Sequence, residues 1–123
     1  MKKRHRLARQ RDFQRVLGGP RLHAGRYLVA FAAPREGGGF RIGVAVSKKL
    51  RGAVVRNRAK RRLREVARRL LASPDSGAEE AGIGYDVVVI ARPAALTAPL
   101  AGLEAEAGGF FRLLRERIAA GRA

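Results

Sequence analysis

The chain has 123 residues, enough for one domain built round a single modest hydrophobic core. It contains no cysteine, which excludes a disulfide framework and thiolate metal ligation, and its 27 Lys and Arg against 10 Asp and Glu give a net charge of +17. The charge is segregated: residues 1–72 carry 22 basic and three acidic side chains, whereas residues 73–123 carry five and seven. Self-repulsion on that scale gives a fold nothing, so the basic part is read as facing a polyanion, with nucleic acid the leading candidate. Apolar runs such as residues 87–91 fall far short of the roughly 20 residues that span a bilayer. The basic N-terminus has no apolar stretch behind it, so a signal peptide is not expected and a cytoplasmic protein is.

Taken in chain order, residues 9–17 have Phe13, Val16 and Leu17 at helical spacing, with Gly18-Gly19-Pro20 as a stop. Residues 26–33 alternate as a strand, Tyr27, Val29 and Phe31 on one face and Leu28, Ala30 and Ala32 on the other. Residues 40–47 alternate again, with Ile42, Val44 and Val46 opposed to Arg41, Gly43, Ala45 and Ser47. With a Gly-rich turn between them, these two strands read as an antiparallel hairpin. The second face of residues 40–47 is small and polar, as suits a surface that something else approaches.

Residues 54–71 are the clearest helix. Val55, Ala59, Leu63, Val66 and Leu70 form one stripe, and Asn57, Arg61, Arg64 and Arg68 occupy the opposite pole, flanked by Arg58 and Lys60. Residues 48–69 hold eleven basic side chains and one acid, Glu65. A solvated helix face normally intersperses both signs. This one is read as a ridge for phosphate, where the planar guanidinium suits bidentate contact and Asn57 suits a base edge. A helix lying on anionic lipid fits poorly, because its apolar stripe is needed for the core and lacks large aromatics.

Residues 73–84 read as a mobile acidic loop, and residues 85–91 as a buried central strand closed by Arg92-Pro93. From about Pro99 to Ala119, Leu100, Leu103, Phe110, Leu114 and Ile118 give a last helix, with a bend or break expected at Gly108-Gly109. The expected class is α+β, a small sheet covered by helices in one domain over residues 1–123, with a basic tail at about residues 1–8.

The run RIGVAVSKKLRGAVVRNRAKRRLRE, residues 41–65, closely resembles the signature of the bacterial ribonuclease P protein family. RDFQRVL (residues 11–17) and DVVVIARP (residues 86–93) fit the same family in the same order. The resemblance implies an α-β sandwich with elements in the order αβββαβα, its RNR helix forming a left-handed β-α-β crossover that departs from the general right-handed rule. It implies a cleft for the single-stranded 5′ leader of precursor tRNA, lined here by Phe13, Leu17, Val29, Phe31, Ala45 and Ser47. It implies an RNA-facing patch of Lys48, Lys49, Arg56, Asn57, Arg58, Lys60, Arg61, Arg64 and Arg68. Leu17 stands where relatives often have a second aromatic. Partners implied are the catalytic RNA and precursor tRNA, with Mg²⁺ at the RNA active site and no cofactor on the protein alone.

The residues themselves offer no catalytic or metal-binding group. Asp12, Glu36 and Glu65 lie on different elements, Glu79-Glu80 belongs to the acidic loop, and His5 and His23 lie in basic, irregular segments. A structural RNA-binding protein is the competing reading on charge and size, and an autonomous ribonuclease the third.

Overall fold

A computed structural model describes residues 5–35, 39–72 and 84–122, with the side chains of the last helix described as far as residue 117. The expected loop at 73–84 lies outside the described residues except for Gly84. Helix α1 spans Gln10–Leu17, strand β1 Arg21–Ala24, β2 Leu28–Arg35, β3 Phe40–Val46, helix α2 Ala53–Ala72, β4 Gly84–Ala91 and helix α3 Leu100–Arg122, with a 3₁₀ turn at Pro93–Leu96 before α3. The class is α+β, in the αβββαβα order.

The sheet order is β1-β2-β4-β3. β2 therefore does not pair with β3. It lies antiparallel to β4, while β3 lies parallel to β4 with Ile42 opposite Val87 and Val46 opposite Ala91. The hairpin expected from alternation is thus replaced by a crossover, in which α2 carries the chain from β3 to its parallel neighbour. The reason lies in β4. Val87 and Val88 are wholly buried, one toward each face of the sheet, and such a strand needs partners on both sides.

The two faces carry unequal cores. Leu28, Ala30, Ala32, Phe40, Ile42, Val46, Val87, Val89 and Ala91 point toward α2 and α3, where they meet Ala59, Leu63, Val66, Leu103, Phe110 and Leu114. The α2 stripe holds at Ala59, Leu63 and Val66, but Ala67 and Leu71 are buried while Val55 and Leu70 are only half-buried. α3 runs unbroken through Gly108-Gly109. Buried Ala107, Phe110 and Phe111 anchor the helix on either side, and tertiary packing outweighs the weak local propensity.

β2 continues through Pro34, two residues beyond the expected end. Tyr85, opposite Pro34, turns its N–H to Gly39 O (3.0 Å), so Pro34 needs no N–H toward β4. On its other side β1 has already ended, its pairing reaching only Phe31. The N-terminal segment is not a tail over its whole expected length. Leu7 is buried, its N–H donates to Ile42 O (3.0 Å), and Arg6 bridges Ile42 in parallel, which covers part of the exposed edge of β3.

Candidate nucleic-acid interface

The sheet face opposite α2 and α3 is only partly covered, by α1. Val16 of α1 is fully buried against Leu7 and Val88, and Phe13, Phe31, Ala33, Ala45 and Ile90 pack round them half-exposed. Of the expected cleft residues, Phe13, Phe31 and Ala45 are therefore brought together. Val29 is half-buried and Leu17 is exposed, and neither joins that cluster. Val88 and Ile90 complete the floor. They were hidden in the sequence because a run of β-branched residues does not announce which members face which side.

At one end of this face β3 stops at a bonded corner. Ser47 N–H donates to Ala91 O (2.9 Å), Ser47 Oγ accepts the Lys49 N–H (3.2 Å), and Ser47 O accepts from Leu50 N–H (3.0 Å). Arg56 reaches back from the first turn of α2 and donates to Ser47 O and Leu50 O. Its guanidinium braces the corner, so Arg56 acts on the link itself, while Lys48 and Lys49 stay exposed. Gly52, at φ +91° in the left-handed region, starts the helix by accepting the Arg56 N–H (3.0 Å) at its carbonyl. The first turn of α2 holds no acid, so the positive end of the helix dipole adds to the field of these cations.

Along α2, Asn57, Arg58, Arg61, Arg64 and Arg68 are exposed and Lys60 is half-buried, which is the pole expected from the periodicity. Their engagements differ. Arg68 makes two hydrogen bonds to Glu65, and Arg69 joins Glu65 to Glu104 of α3. These guanidinium bonds hold the Glu65 carboxyl down at a pKa of about 2 and raise the pKa values of Arg68 and Arg69. Arg62 is spent on Ala98 O. Among the described residues no carboxylate pairs with Lys48, Lys49, Arg58, Arg61 or Arg64, and these are the cations available to an incoming anion.

The other end of the α1 face is closed by an ion cluster. The Asp86 side chain is fully buried and accepts two hydrogen bonds from Arg41, at 2.7 and 2.6 Å. It also pairs with Arg35 of β2 at 3.1 Å and with Arg15 of α1. The bond to Asp86 raises the Arg41 pKa, with a smaller contribution from Asp12 at 3.9 Å. One carboxylate thus ties α1, β2 and β3 to β4, with net positive charge left over.

Among the described residues no group of three or more His, Asp and Glu could hold a metal ion, and no helix is long and apolar enough to cross a membrane. His23 on β1 bonds Glu106 (2.9 Å), whereas His5 lies just before the segment that borders β3. Those are opposite edges of the sheet, about three strand spacings of ~4.8 Å apart, so the two histidines cannot work as an acid–base pair.

Comparison with known proteins agrees with this architecture. The family model for Ribonuclease P matches residues 1–115. The ribonuclease P protein component of Brevibacillus brevis is 37% identical over 105 residues, covering 85% of this chain and 78% of its own. That of Dehalococcoides mccartyi is 40% identical over 104 residues, covering 85% and 79%. A structure of the Staphylococcus aureus RNase P protein, a mutant with defective mRNA degradation activity, superposes with a TM-score of 0.70 at 28% identity, covering 92% of this chain and 90% of that one. The Thermotoga maritima RNase P protein shares the fold, with a TM-score of 0.67 at 24% identity over 86% of this chain and 94% of its own. Matched over nearly its whole length in sequence and in fold, the chain belongs to the bacterial ribonuclease P protein family.

Proposed function

We propose that the chain is the protein subunit of an RNA-based ribonuclease P in the cytoplasm. In this reading it binds the catalytic RNA through the α2 ridge and the 5′ leader of precursor tRNA through the α1-covered face. The observation that carries the reading is the continuity of the two surfaces. Exposed Lys48 and Lys49 stand where β3 leaves the aromatic-floored face, and the unpaired ridge of Arg58, Arg61 and Arg64 begins one link later.

The chemistry follows from that layout. Phe13 and Phe31 offer ring faces to unstacked bases, at about 1–3 kcal/mol per base, beside cations that take the phosphates. The protein contributes no catalytic group. The RNA subunit supplies cleavage of the phosphodiester with Mg²⁺, and a partner of charge +17 offsets the repulsion between two RNAs held together. If about six phosphates are neutralised, affinity falls roughly a thousandfold between 50 and 200 mM salt.

The test is single-turnover cleavage of precursor tRNA at low Mg²⁺ by the catalytic RNA alone, the protein alone and both together. Efficient cleavage at the mature 5′ end by the mixture only is the expected result. Unchanged RNA activity on adding the protein overturns the subunit reading in favour of a structural RNA-binding role, and cleavage by the protein alone reassigns the chemistry to this chain.

A further inference from the structure

A pocket of about 170 Å³ lies at the outer edge of β3, between the N-terminal segment and α2. Arg6, Leu7 and Ala8 form one wall, Phe13 a second, and Arg64 closes it from α2, with Ile42 and Val44 also lining it. The wall is fixed in place by the Leu7 N–H bond to Ile42 O. Every lining side chain is apolar except the two arginines, both exposed, and no carboxylate takes part.

We propose that this pocket is a nucleobase subsite, taking one unstacked base of single-stranded RNA while Arg6 and Arg64 hold the adjoining phosphate outside. The inference rests on the RNA-binding reading above and adds a site to it. The size argues for one ring system, since sites enclosing whole drug-sized ligands run to roughly 300–1,000 Å³. The half-buried Phe13 ring and Val44 argue for a base rather than a bare anion, because they give an inorganic phosphate nothing, while Leu7 and Ile42 lie buried behind them. Position argues for RNA already bound nearby. Phe13 also belongs to the α1-covered face and Arg64 to the α2 ridge, so the pocket sits where the two surfaces meet round the edge of β3. Guanidinium beside an aromatic ring is also the pairing that single-stranded nucleic acid favours.

The test is a ¹H–¹⁵N NMR titration of the full chain with 5′-AMP, and in parallel with inorganic phosphate. Saturable shifts of the Leu7, Ala8 and Val44 amides with AMP, and not with phosphate, are expected. Ala8→Trp, which fills the pocket from an exposed position, should abolish them. Should that variant lose its native spectrum, Arg6→Gln serves instead and should weaken AMP at least threefold at the same amides. Equal shifts with phosphate reduce the pocket to an anion patch and overturn the proposal, as do AMP shifts confined to Phe31 and Ile90. A protein that stimulates precursor cleavage but shows no pocket shifts overturns the subsite and leaves the subunit reading standing. Pocket shifts without stimulation do the reverse.

Discussion

The ring of Phe13 occupies the space that a side chain at position 43 would need: a β-carbon built on Gly43 lies 2.7 Å from Phe13 Cε1 and 3.0 Å from Cε2. The glycine in the middle of β3 is what lets α1 sit down on the sheet. Gly43→Ala should therefore cost about 1–3 kcal/mol by overpacking, read from urea denaturation. Phe13→Ala in the same chain should relieve part of that cost. A double-mutant cycle giving strict additivity would show that the contact is not what sets the height of α1.

The Asp86 carboxylate pairs with three arginines from three elements, one of which, Arg41, also lies 3.9 Å from Asp12. Asp86→Ala leaves those guanidinium groups crowded without their counter-ion, and a loss of about 3–5 kcal/mol is expected. That is a large part of the total stability of a small domain. Arg15→Ala, which removes the most exposed partner, should cost far less, and equal losses in thermal unfolding would refute this ranking.

The salt dependence of RNA binding separates the ridge cations. Arg61→Ala with Arg64→Ala should reduce the slope of log K against log salt by up to about 2 if the ridge takes phosphates as proposed. Arg68→Ala should change it less, because Glu65 already holds that guanidinium in two hydrogen bonds. Equal slope changes from Arg61→Ala and Arg68→Ala would mean that RNA displaces the Glu65 pair.

Glu65 titrates well below an ordinary carboxylate, at about 2 against 4.5, chiefly through its hydrogen bonds from Arg68 and Arg69. A depressed folded-state value makes the contribution of this group to stability complete above about pH 4.5, and it is lost as pH falls toward 2. Carboxyl ¹³C titration should give a midpoint near 2 for Glu65, and Arg68→Ala with Arg69→Ala should return it toward 4.5. A midpoint unmoved by that pair of substitutions would assign the shift to another cause.

Glu106 of α3 accepts the backbone N–H groups of Tyr27 and Leu28, both at 3.0 Å, and bonds His23. Glu106→Ala leaves two part-buried donors without a partner, a loss of about 1–3 kcal/mol. Hydrogen exchange should quicken at residues 25–28 ahead of the rest of the sheet. Uniform acceleration would mean that the β1–β2 link has no local stability of its own.

How far the fold could be read ahead depends on how many residues repeat a signal. The twenty residues of α2 repeat one period often enough to place both its buried stripe and its cationic pole. β1 has four residues, Arg21–Ala24, with no alternation to mark it, and it escaped notice. Strand order was illegible for another reason: alternation shows that residues 28–35 and 40–46 are strands but not which strand lies between them. Gly43 advertised a close approach without naming Phe13, and Asp86 could not declare three partners 45 to 71 residues away in the chain. The ridge of the candidate interface was legible in composition, whereas the edge pocket required knowing that residues 6–8 lie beside β3.

Of the described strands β4 is the last to be synthesised, yet it takes a central seat in the sheet. On the ribosome, β2 and β3 emerge with the place between them vacant, and α2 follows before its apolar stripe has the completed sheet to cover. At about 5–20 residues per second, the interval between Val46 and Ala91 is roughly a few seconds. Throughout it the unfinished product is a polycation beside ribosomal RNA. Closure then depends on contacts distant along the chain, which form slowly. A chain stopped short of β4 has the β1–β2 pair but no strand to join it to β3, and the proposed RNA surface comes into being only once β4 slides home.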